Sequence, residues 1–158
     1  MSVDQATFRS VLGRFASGVT IITVRDGDVD HGMTASAFCS LSLDPPLTLV
    51  CVDRSTRMHE LLTVAEAYAV SLLASHQEAI SRRFAEPPDD TRFDGIGFDR
   101  GVTGAPLLHE ALAHVECEVV DRHAGGDHTI IIGRVIAADA WDARPLLYYR
   151  GGYAELGR

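Results

Sequence analysis

Apolar residues recur at helical spacing near the start of the chain and at strand spacing through most of the remainder. Phe8, Val11, Leu12 and Phe15 fall at positions i, i+3, i+4 and i+7, which predicts an amphipathic helix over residues 4–16. Apolar, β-branched or alternating runs predict six strands, over residues 19–24, 31–41, 47–52, 67–73, 114–120 and 129–138. Cap-forming residues predict two short helices, over residues 56–63 and 75–84, the second opened by Ser75 and Glu78.

Turn-forming residues separate these elements and keep most connections short. A hairpin is expected at residues 26–28, a sharp break at Asp44-Pro45-Pro46, a turn at residues 125–127, and a bulge at Gly133 in the last strand. Six strands with short helices between and outside them predict a mainly β fold, an antiparallel barrel with peripheral helices. The 158 residues fit a single domain, residues 1–158.

Charge and composition exclude several classes of protein. The net charge of −8 argues against nucleic acid as a partner, because phosphate binding needs a basic face. No apolar run approaches the roughly 20 residues that span a bilayer, and the first residues lack a signal-peptide pattern, so we expect no membrane association and a cytoplasmic location. Cys39, Cys51 and Cys117 show no metal-ligand spacing, which favours reduced thiols in the core or in a pocket.

Two motifs that suggest other chemistry do not meet its requirements. Gly95 to Gly101 resembles a dinucleotide-binding fingerprint, but its third glycine is misplaced and no strand–helix pair frames it. His109 and His114 are five residues apart, so they would not share a helix face as zinc ligands do. We therefore expect neither a Rossmann domain nor a metal site.

The segment from His31 to Val52 carries the strongest indication of a binding site. Thr34, Ala35, Ser36, Ala37 and Ser40 place small and hydroxyl-bearing side chains just ahead of an apolar strand. Small side chains let a flat ligand approach the backbone, and hydroxyls and main-chain N–H groups then bind its polar edge. Phe38 is expected to point the other way, into the barrel.

Five segments, in order and covering nearly the whole chain, carry a resemblance to a known family. They are FRSVLGRFASGVTIIT (8–23), GMTASAFCSLSLDPP (32–46), SRRFA (81–85), GDHTIIIGRV (126–135) and PLLYYRGGY (145–153). Together they resemble the short-chain flavin reductases, the reductase components of two-component flavin-dependent monooxygenases. The resemblance implies a split-barrel fold of the FMN-binding type, a homodimer, and hydride transfer from NADH or NADPH to FMN or FAD. Reduced flavin would then leave for a separate monooxygenase.

The resemblance also implies which residues form the site. His128 is expected beside the nicotinamide, to place it. The residues expected at the flavin are Met33, Thr34, Ala35, Ser36, Ala37, Ser40, Cys51, Asp53, Ser55, Arg57, Arg82, Arg83, Phe84 and Tyr153. Among them Ser55 and Arg57 lie at the start of the helix predicted over residues 56–63, whose first N–H groups attract a phosphate. Tyr148 and Arg150 belong to the same C-terminal motif as Tyr153.

Two other functions are compatible with these residues. One is a flavin-binding module without reductase activity, and the other is an enzyme similar to pyridoxamine-phosphate oxidases. The second would need further basic groups for another phosphate, which the sequence does not supply. The same scarcity of basic residues favours NADH over NADPH.

Overall fold

The structure is a computed structural model that describes residues 1–157. Over this range the chain forms three α-helices, α1 (Gln5–Leu12), α2 (Arg57–Leu62) and α3 (Glu78–Ala85). The strands of the same range are β1 (Ser17–Gly18), β2 (Thr20–Asp26), β3 (Val29–Ala35), β4 (Phe38–Ser42), β5 (Leu47–Asp53), β6 (Ala67–Leu72), β7 (Phe98–Arg100), β8 (Pro106–Leu108), β9 (Ala113–Gly125), β10 (His128–Ala140), β11 (Leu146–Tyr149) and β12 (Gly152–Glu155). Short 3-10 helices occupy Ser75–Gln77 and Asp89–Thr91.

One large antiparallel sheet dominates the described residues. Its seven strands lie in the order β3-β2-β6-β9-β10-β5-β4, so β3 and β4 are its two edges although they are consecutive in sequence. Only Ser36 and Ala37 separate them, a link that reaches roughly 11 Å between its flanking Cα atoms. In a flat sheet the two edges would be about 29 Å apart, at about 4.8 Å per strand. The sheet therefore curls until its edges meet at this link.

The curled sheet stays open along part of the line where its edges meet. β4 pairs with β5 from Phe38 opposite Val50, and the Ala37 carbonyl accepts the Cys51 N–H at 2.9 Å. Within residues 1–157, Val52 and Asp53 pair only with β10, and the outer edge of β3 pairs with no strand. We call the gap bordered by residues 31–34 of β3 and 51–53 of β5 the open seam.

The interior of the curled sheet is the main hydrophobic core. Along β5, Thr48, Val50 and Val52 are buried while the alternate residues are half-buried, as expected of a strand with one face inward. Met58 and Leu62 of α2 pack on this core, and so does Phe38, which confirms its expected direction. The other buried members include Ile22, Val24, Tyr68, Val70, Cys117 and Ile131.

A second core lies between the sheet and the outer elements. Phe84 of α3 packs there with Ile21, Leu108 and Leu146. Two small sheets, β1-β11-β12 and β7-β8, complete the described structure. A Cβ atom at Gly32 would lie 2.7 Å from the Phe84 ring, so glycine at this position lets α3 approach β3 closely.

The second predicted strand, the first predicted helix and one predicted helix cap differ from the structure. The strand expected over residues 31–41 is two strands, because the chain must pass from one sheet edge to the other at Ser36. The first helix begins as expected, with Asp4 accepting the Thr7 N–H at 2.7 Å, but it ends at Leu12. The cap expected from Ser75 and Glu78 was wrong: the Gln77 side chain accepts the Ala74 N–H at 2.9 Å instead.

Strands beyond the six predicted ones are short or lie in segments without a clear pattern. β1, β7, β8, β11 and β12 contain four residues or fewer. β9 and β10 are instead longer than predicted, 13 residues each, and form a hairpin. None of the helices within residues 1–157 is long and apolar enough to cross a membrane.

The bulge expected at Gly133 is confirmed and has a packing cause. The register between β9 and β10 shifts between Ile132 and Gly133. A Cβ atom at Gly133 would lie 2.3 Å from the Tyr68 hydroxyl oxygen and 2.7 Å from the Cys117 Cβ. The Tyr68 hydroxyl is buried and has no hydrogen-bond partner among the described residues, and burial raises the pKa of this phenol.

We expect Gly133→Ala to lower the free energy of unfolding by about 1–3 kcal/mol, the usual cost of overpacking a core. Urea denaturation measures the change. Gly18→Ala is the matched control, because nothing lies within 4 Å of a Cβ at Gly18. Adding Tyr68→Phe to Gly133→Ala removes the closest atom and should restore part of the loss. Equal stability of Gly133→Ala and Gly18→Ala would contradict this packing.

Candidate functional site

The link between the two sheet edges is held by hydrogen bonds on both sides. On the β3 side the Thr34 hydroxyl donates to the Ser81 carbonyl at 2.6 Å, and the Thr20 hydroxyl donates to the Ala35 carbonyl at 2.6 Å. On the β4 side the bond from Cys51 to Ala37 closes the end of the open seam. The small residues predicted from sequence therefore lie at the point where the sheet begins to separate.

A groove of about 230 Å³ opens on the outer side of β3, between α3 and the C-terminal strands. Thr34 and Ser36 form one wall, and Ser81, Tyr148 and Tyr153 form the other. A neighbouring groove of about 210 Å³ shares Val19 and Ser36 and continues past Phe38 toward Leu146. Ser36 thus borders both grooves, and its small side chain leaves the space between them open.

Tyr153 is fixed in place by three contacts. Its hydroxyl lies 2.7 Å from the Ser81 hydroxyl, and its ring meets the Tyr148 ring edge to face at 5.3 Å. The Arg82 guanidinium lies over the ring, 4.9 Å from its centre. The C-terminal motif therefore reaches the predicted small-residue segment and provides an aromatic wall beside it.

The predicted basic residues differ in how far their charge is already engaged. Arg82 pairs with Glu78 at 3.3 Å, and Arg83 donates to the Thr91 carbonyl at 2.9 Å. Arg57 is exposed and has neither an ion pair nor a hydrogen bond from its side chain within the described part of the chain. Arg57 is therefore the predicted residue with most positive charge left for a phosphate.

Asp53 and Ser55 form a turn that uses most of their polar atoms. One Asp53 carboxylate oxygen accepts both the Ser55 N–H and the Ser55 hydroxyl, each at 2.8 Å. These bonds from Ser55 lower the pKa of Asp53. The hydroxyl of Ser55 is thus occupied within the turn, and the first residue of α2, Arg57, follows directly after it.

His128 begins β10 and lies opposite Asp53 in the pairing with β5. Its Nδ1 atom is 2.7 Å from the Asp127 carboxylate, which orients the ring, and the side chain is 40% exposed. On the next residue, the Thr129 hydroxyl lies 2.8 Å from Nε2 of His59 in α2. His128 and Asp53 therefore share one end of the open seam, away from Ser36.

The side chains of three predicted flavin contacts belong to the core. Phe84 is fully buried and Ala35 is 7% exposed, while Met33 packs against the main core. The side chains of Phe84 and Ala35 therefore pack against the protein, so they have little surface left for a ligand. The Phe84 ring packs directly against β3, because glycine at position 32 leaves room for it.

The last two predicted contacts lie on β4 and β5. Ser40 is exposed on the edge strand β4, and Cys51 is half-buried on β5, where burial raises the pKa of its thiol. None of the three cysteines is in a disulfide. Cys117 is fully buried, Cys51 is half-buried and Cys39 is exposed. Cys51 borders the open seam, whereas Ser40 lies on the paired part of β4.

Sequence reasoning did not select Ser81, which binds both Thr34 and Tyr153. It is the first residue of the SRRFA segment, of which the resemblance implies only the two arginines and Phe84 as flavin contacts. Arg92 was also missed: it donates to the Gly32 carbonyl at 2.8 Å and pairs with Asp89 at 2.9 Å. No local pattern distinguishes Arg92 from a surface arginine.

Comparison with known proteins places the chain in a family. Residues 12–157 match the flavin reductase like domain, and the chain belongs to this family. It is 44% identical over 153 residues to an NADH-dependent FAD reductase of Streptomyces globisporus, covering 94% of this chain and 84% of that one. It is 39% identical over 156 residues to the reductase subunit HsaB of a flavin-dependent monooxygenase of Rhodococcus jostii, covering 98% and 80%.

A solved structure extends the similarity to the fold. The NADH:FAD oxidoreductase SgcE6 of Streptomyces globisporus C-1027, in complex with NAD and FAD fragments, superposes with a TM-score of 0.93 at 41% identity. The match covers 98% of this chain and 93% of that one. The resemblance inferred from five segments is thereby confirmed.

We expect Tyr153→Phe to lower the free energy of unfolding by about 0.5–1.5 kcal/mol, because the Ser81 hydroxyl loses its partner. Thermal or urea unfolding measures the loss. Tyr149→Phe is the matched control, since Tyr149 is exposed and its hydroxyl makes no hydrogen bond within residues 1–157. If both variants unfold alike, the bond to Ser81 does not hold β12 in place.

Proposed function

We propose that the protein is an NADH-dependent flavin reductase that passes reduced flavin to a separate monooxygenase. The observation that carries the proposal is the open seam, which begins at a segment of small residues and ends at His128 and Asp53, ahead of Arg57 in α2. Membership of the flavin reductase family and the NADH-dependent FAD reductase among the relatives support it. The fold we assign is the antiparallel split barrel of the FMN-binding type, as one domain over residues 1–158.

The residues of the open seam fit a flavin. Two strand edges present backbone N–H and C=O groups that no other strand uses within residues 1–157. Apart from the Gly32 carbonyl, which accepts from Arg92, these groups suit the polar edge of a flat ring. Ser36 and Ala37 add little bulk where the ring would approach. Arg57 supplies a free positive charge for the phosphate against a net charge of −8 on the chain.

In the proposed reaction the protein mainly has to align the two reacting rings, and it does not have to transfer a proton. A bound flavin supplies the redox chemistry, accepting a hydride from the nicotinamide of NADH. His128, oriented by Asp127, places the nicotinamide, and Tyr153 with Tyr148 limits the space beside the small-residue segment. The grooves at Ser36 are open to solvent, which suits a flavin that must leave after reduction.

The reductase activity is tested by adding FMN or FAD to the purified protein and following the absorbance of NADH. NADH oxidation should rise with added flavin and saturate. Binding of flavin with no oxidation of NADH would instead identify a flavin-binding module. Oxidation of a phosphorylated amine in place of NADH would favour the enzymes similar to pyridoxamine-phosphate oxidases.

We expect His128→Ala to raise the KM for NADH about tenfold, because the nicotinamide loses a contact with the His128 ring. A tenfold change corresponds to roughly 1.4 kcal/mol of binding free energy. The flavin dissociation constant, measured by titration without NADH, should stay the same. His123→Ala is the matched control, because His123 is also an exposed histidine beside an aspartate, at 3.1 Å from Asp121. Equal NADH kinetics in the two variants would remove His128 from the site.

We further propose that the protein is a homodimer in which α1 forms part of the interface. The apolar stripe lies on the surface: Phe8, Val11 and Leu12 of α1, and Phe15 just beyond the helix, are 52–82% exposed, and α1 has no buried residue. The Arg150 N–H donates to the Gly13 carbonyl at 2.8 Å and attaches the end of the helix to the C-terminal motif. A second copy that covers this stripe also supplies a wall for the adjacent grooves.

Leu12→Glu should convert the dimer to a monomer in sedimentation velocity at micromolar concentration, because a charge at the centre of the apolar stripe would be buried without a partner. Arg9→Ala is the control on the same helix and should leave the dimer intact. A wild-type protein that sediments as a monomer would contradict the proposal. Far-ultraviolet circular dichroism separates loss of association from loss of folding.

A further inference from the structure

Two of the three cysteines lie on one face of the large sheet, beside the open seam. Val50 of β5 points into the main core, and so does Phe38 of β4, which lies opposite it. Side chains alternate along a strand, so Cys39 of β4 and Cys51 of β5 both lie on the outer face. Cys39 is exposed and Cys51 is half-buried. The two thiols therefore face the same side, and solvent reaches the first of them.

The strand register makes these two thiols diagonal neighbours. Cys39 pairs with Leu49, and the bond from the Cys51 N–H to the Ala37 carbonyl extends the same register to the end of the pairing. Diagonal neighbours on one face have Cα atoms about 7–8 Å apart. Burial raises the pKa of Cys51, and the charge of the nearby Cys39 thiolate adds to the effect. The residue opposite Cys51 is alanine, whose methyl group leaves room on this face.

The edge strand β4 is able to approach Cys51. A disulfide holds its two Cα atoms at about 4.4–6.8 Å, so the pair must close by about 1 Å. Within residues 1–157, β4 pairs with β5 alone, and their register is irregular between Ser40 and Ser42. An edge strand with an interrupted ladder is held by fewer hydrogen bonds than a central strand, so a displacement of this size is accessible to it.

Hydrogen peroxide converts such a pair to a disulfide in two steps. The thiolate of the exposed Cys39 attacks one oxygen of the peroxide, which forms a sulfenic acid and releases hydroxide. The Cys51 sulfur then attacks the Cys39 sulfur, the S–S bond forms, and the hydroxyl group leaves with the Cys51 proton as water. Two thiols and one hydrogen peroxide thus give one disulfide and two waters.

The proposed function supplies this oxidant. Reduced flavin that meets no monooxygenase reacts with O₂, which takes two electrons and two protons from the flavin and becomes hydrogen peroxide. Peroxide therefore accumulates when the protein makes reduced flavin faster than it is used.

We propose that Cys39 and Cys51 form a peroxide-sensitive pair whose disulfide narrows the open seam and weakens flavin binding, an inference that rests on the proposed function. Cys39 lies opposite Leu49, so its approach to Cys51 carries β4 toward the C-terminal end of β5. Ser36 and Ala37 precede β4 and move with it, into the space between the two strand edges. The protein thereby slows its production of reduced flavin when that product is not consumed.

The disulfide is detected by peroxide treatment without flavin or NADH, followed by alkylation, trypsin digestion and mass spectrometry. Residues 26–53 contain no arginine or lysine, so both cysteines fall in one tryptic peptide, residues 26–54. This peptide should lose two hydrogen atoms and take up no alkylating agent, and dithiothreitol should reverse both changes. Two alkylated cysteines, or a sulfinic acid at Cys39 alone, would overturn the pair. A disulfide-linked dimer on a non-reducing gel would also overturn it.

The effect on the site is measured as the dissociation constant of FAD, by titration without NADH. Peroxide should weaken FAD binding to the wild type about tenfold, and dithiothreitol should restore it. Cys39→Ser should bind FAD as the reduced wild type does and should not respond to peroxide. Cys117→Ala removes the buried third cysteine and is the matched control, which should respond as the wild type does. A disulfide-bonded protein with unchanged FAD affinity would overturn the proposal.

Turnover distinguishes this inference from the proposed function. With NADH and FAD in air, the reduced protein should form the disulfide without added peroxide, and catalase should prevent it. A disulfide that forms despite catalase would exclude peroxide as the oxidant and overturn the proposal. Failure of the proposed function gives a different result: the reduced protein would oxidise no NADH with any flavin, whereas added peroxide still tests the thiol pair by the mass of its peptide.

Discussion

The two-residue link between β3 and β4 is the constraint on which the structure depends. It joins the opposite edges of a seven-stranded sheet. Because the link is too short to span a flat sheet, the sheet must curl. Curling encloses one face of the sheet and creates the main core. It also brings β3 beside β5, where pairing with β4 stops after Cys51 and leaves two strand edges facing each other. The core and the proposed binding site thus follow from the same covalent connection.

The proposed site is built from strand edges and small side chains, and the reaction we propose there needs few titratable groups. Hydride transfer between two flat rings needs alignment, and backbone groups held by a packed sheet provide it without the rotamer freedom of long side chains. Most polar side chains near the open seam form hydrogen bonds with other residues of the protein. Thr34 binds Ser81, Asp53 binds Ser55, and Asp127 binds His128.

Much of this was predictable from sequence, and the errors have identifiable causes. Residues 31–41 show uninterrupted strand character, yet the strand breaks at Ser36, because the break depends on which sheet edge each half joins. Phe84 lies in a segment shared with flavin reductases, and only the tertiary contact with Gly32 shows that its ring packs in the core against β3. The local sequence is enough to predict the helices, the strands and the family. The role of a single side chain depends on its contacts with residues distant in sequence.

One feature of β4 bears on how the protein avoids adding strands without limit at the edge of its sheet. An edge strand exposes unpaired backbone groups, and β4 carries the apolar Leu41 at 45% exposure, a combination that invites further strands to add. Its pairing with β5 is irregular between Ser40 and Ser42, and Pro45 and Pro46 follow it. A kinked ladder ending in prolines is a poor template for cross-β stacking, so this margin of the sheet resists growing into fibrils.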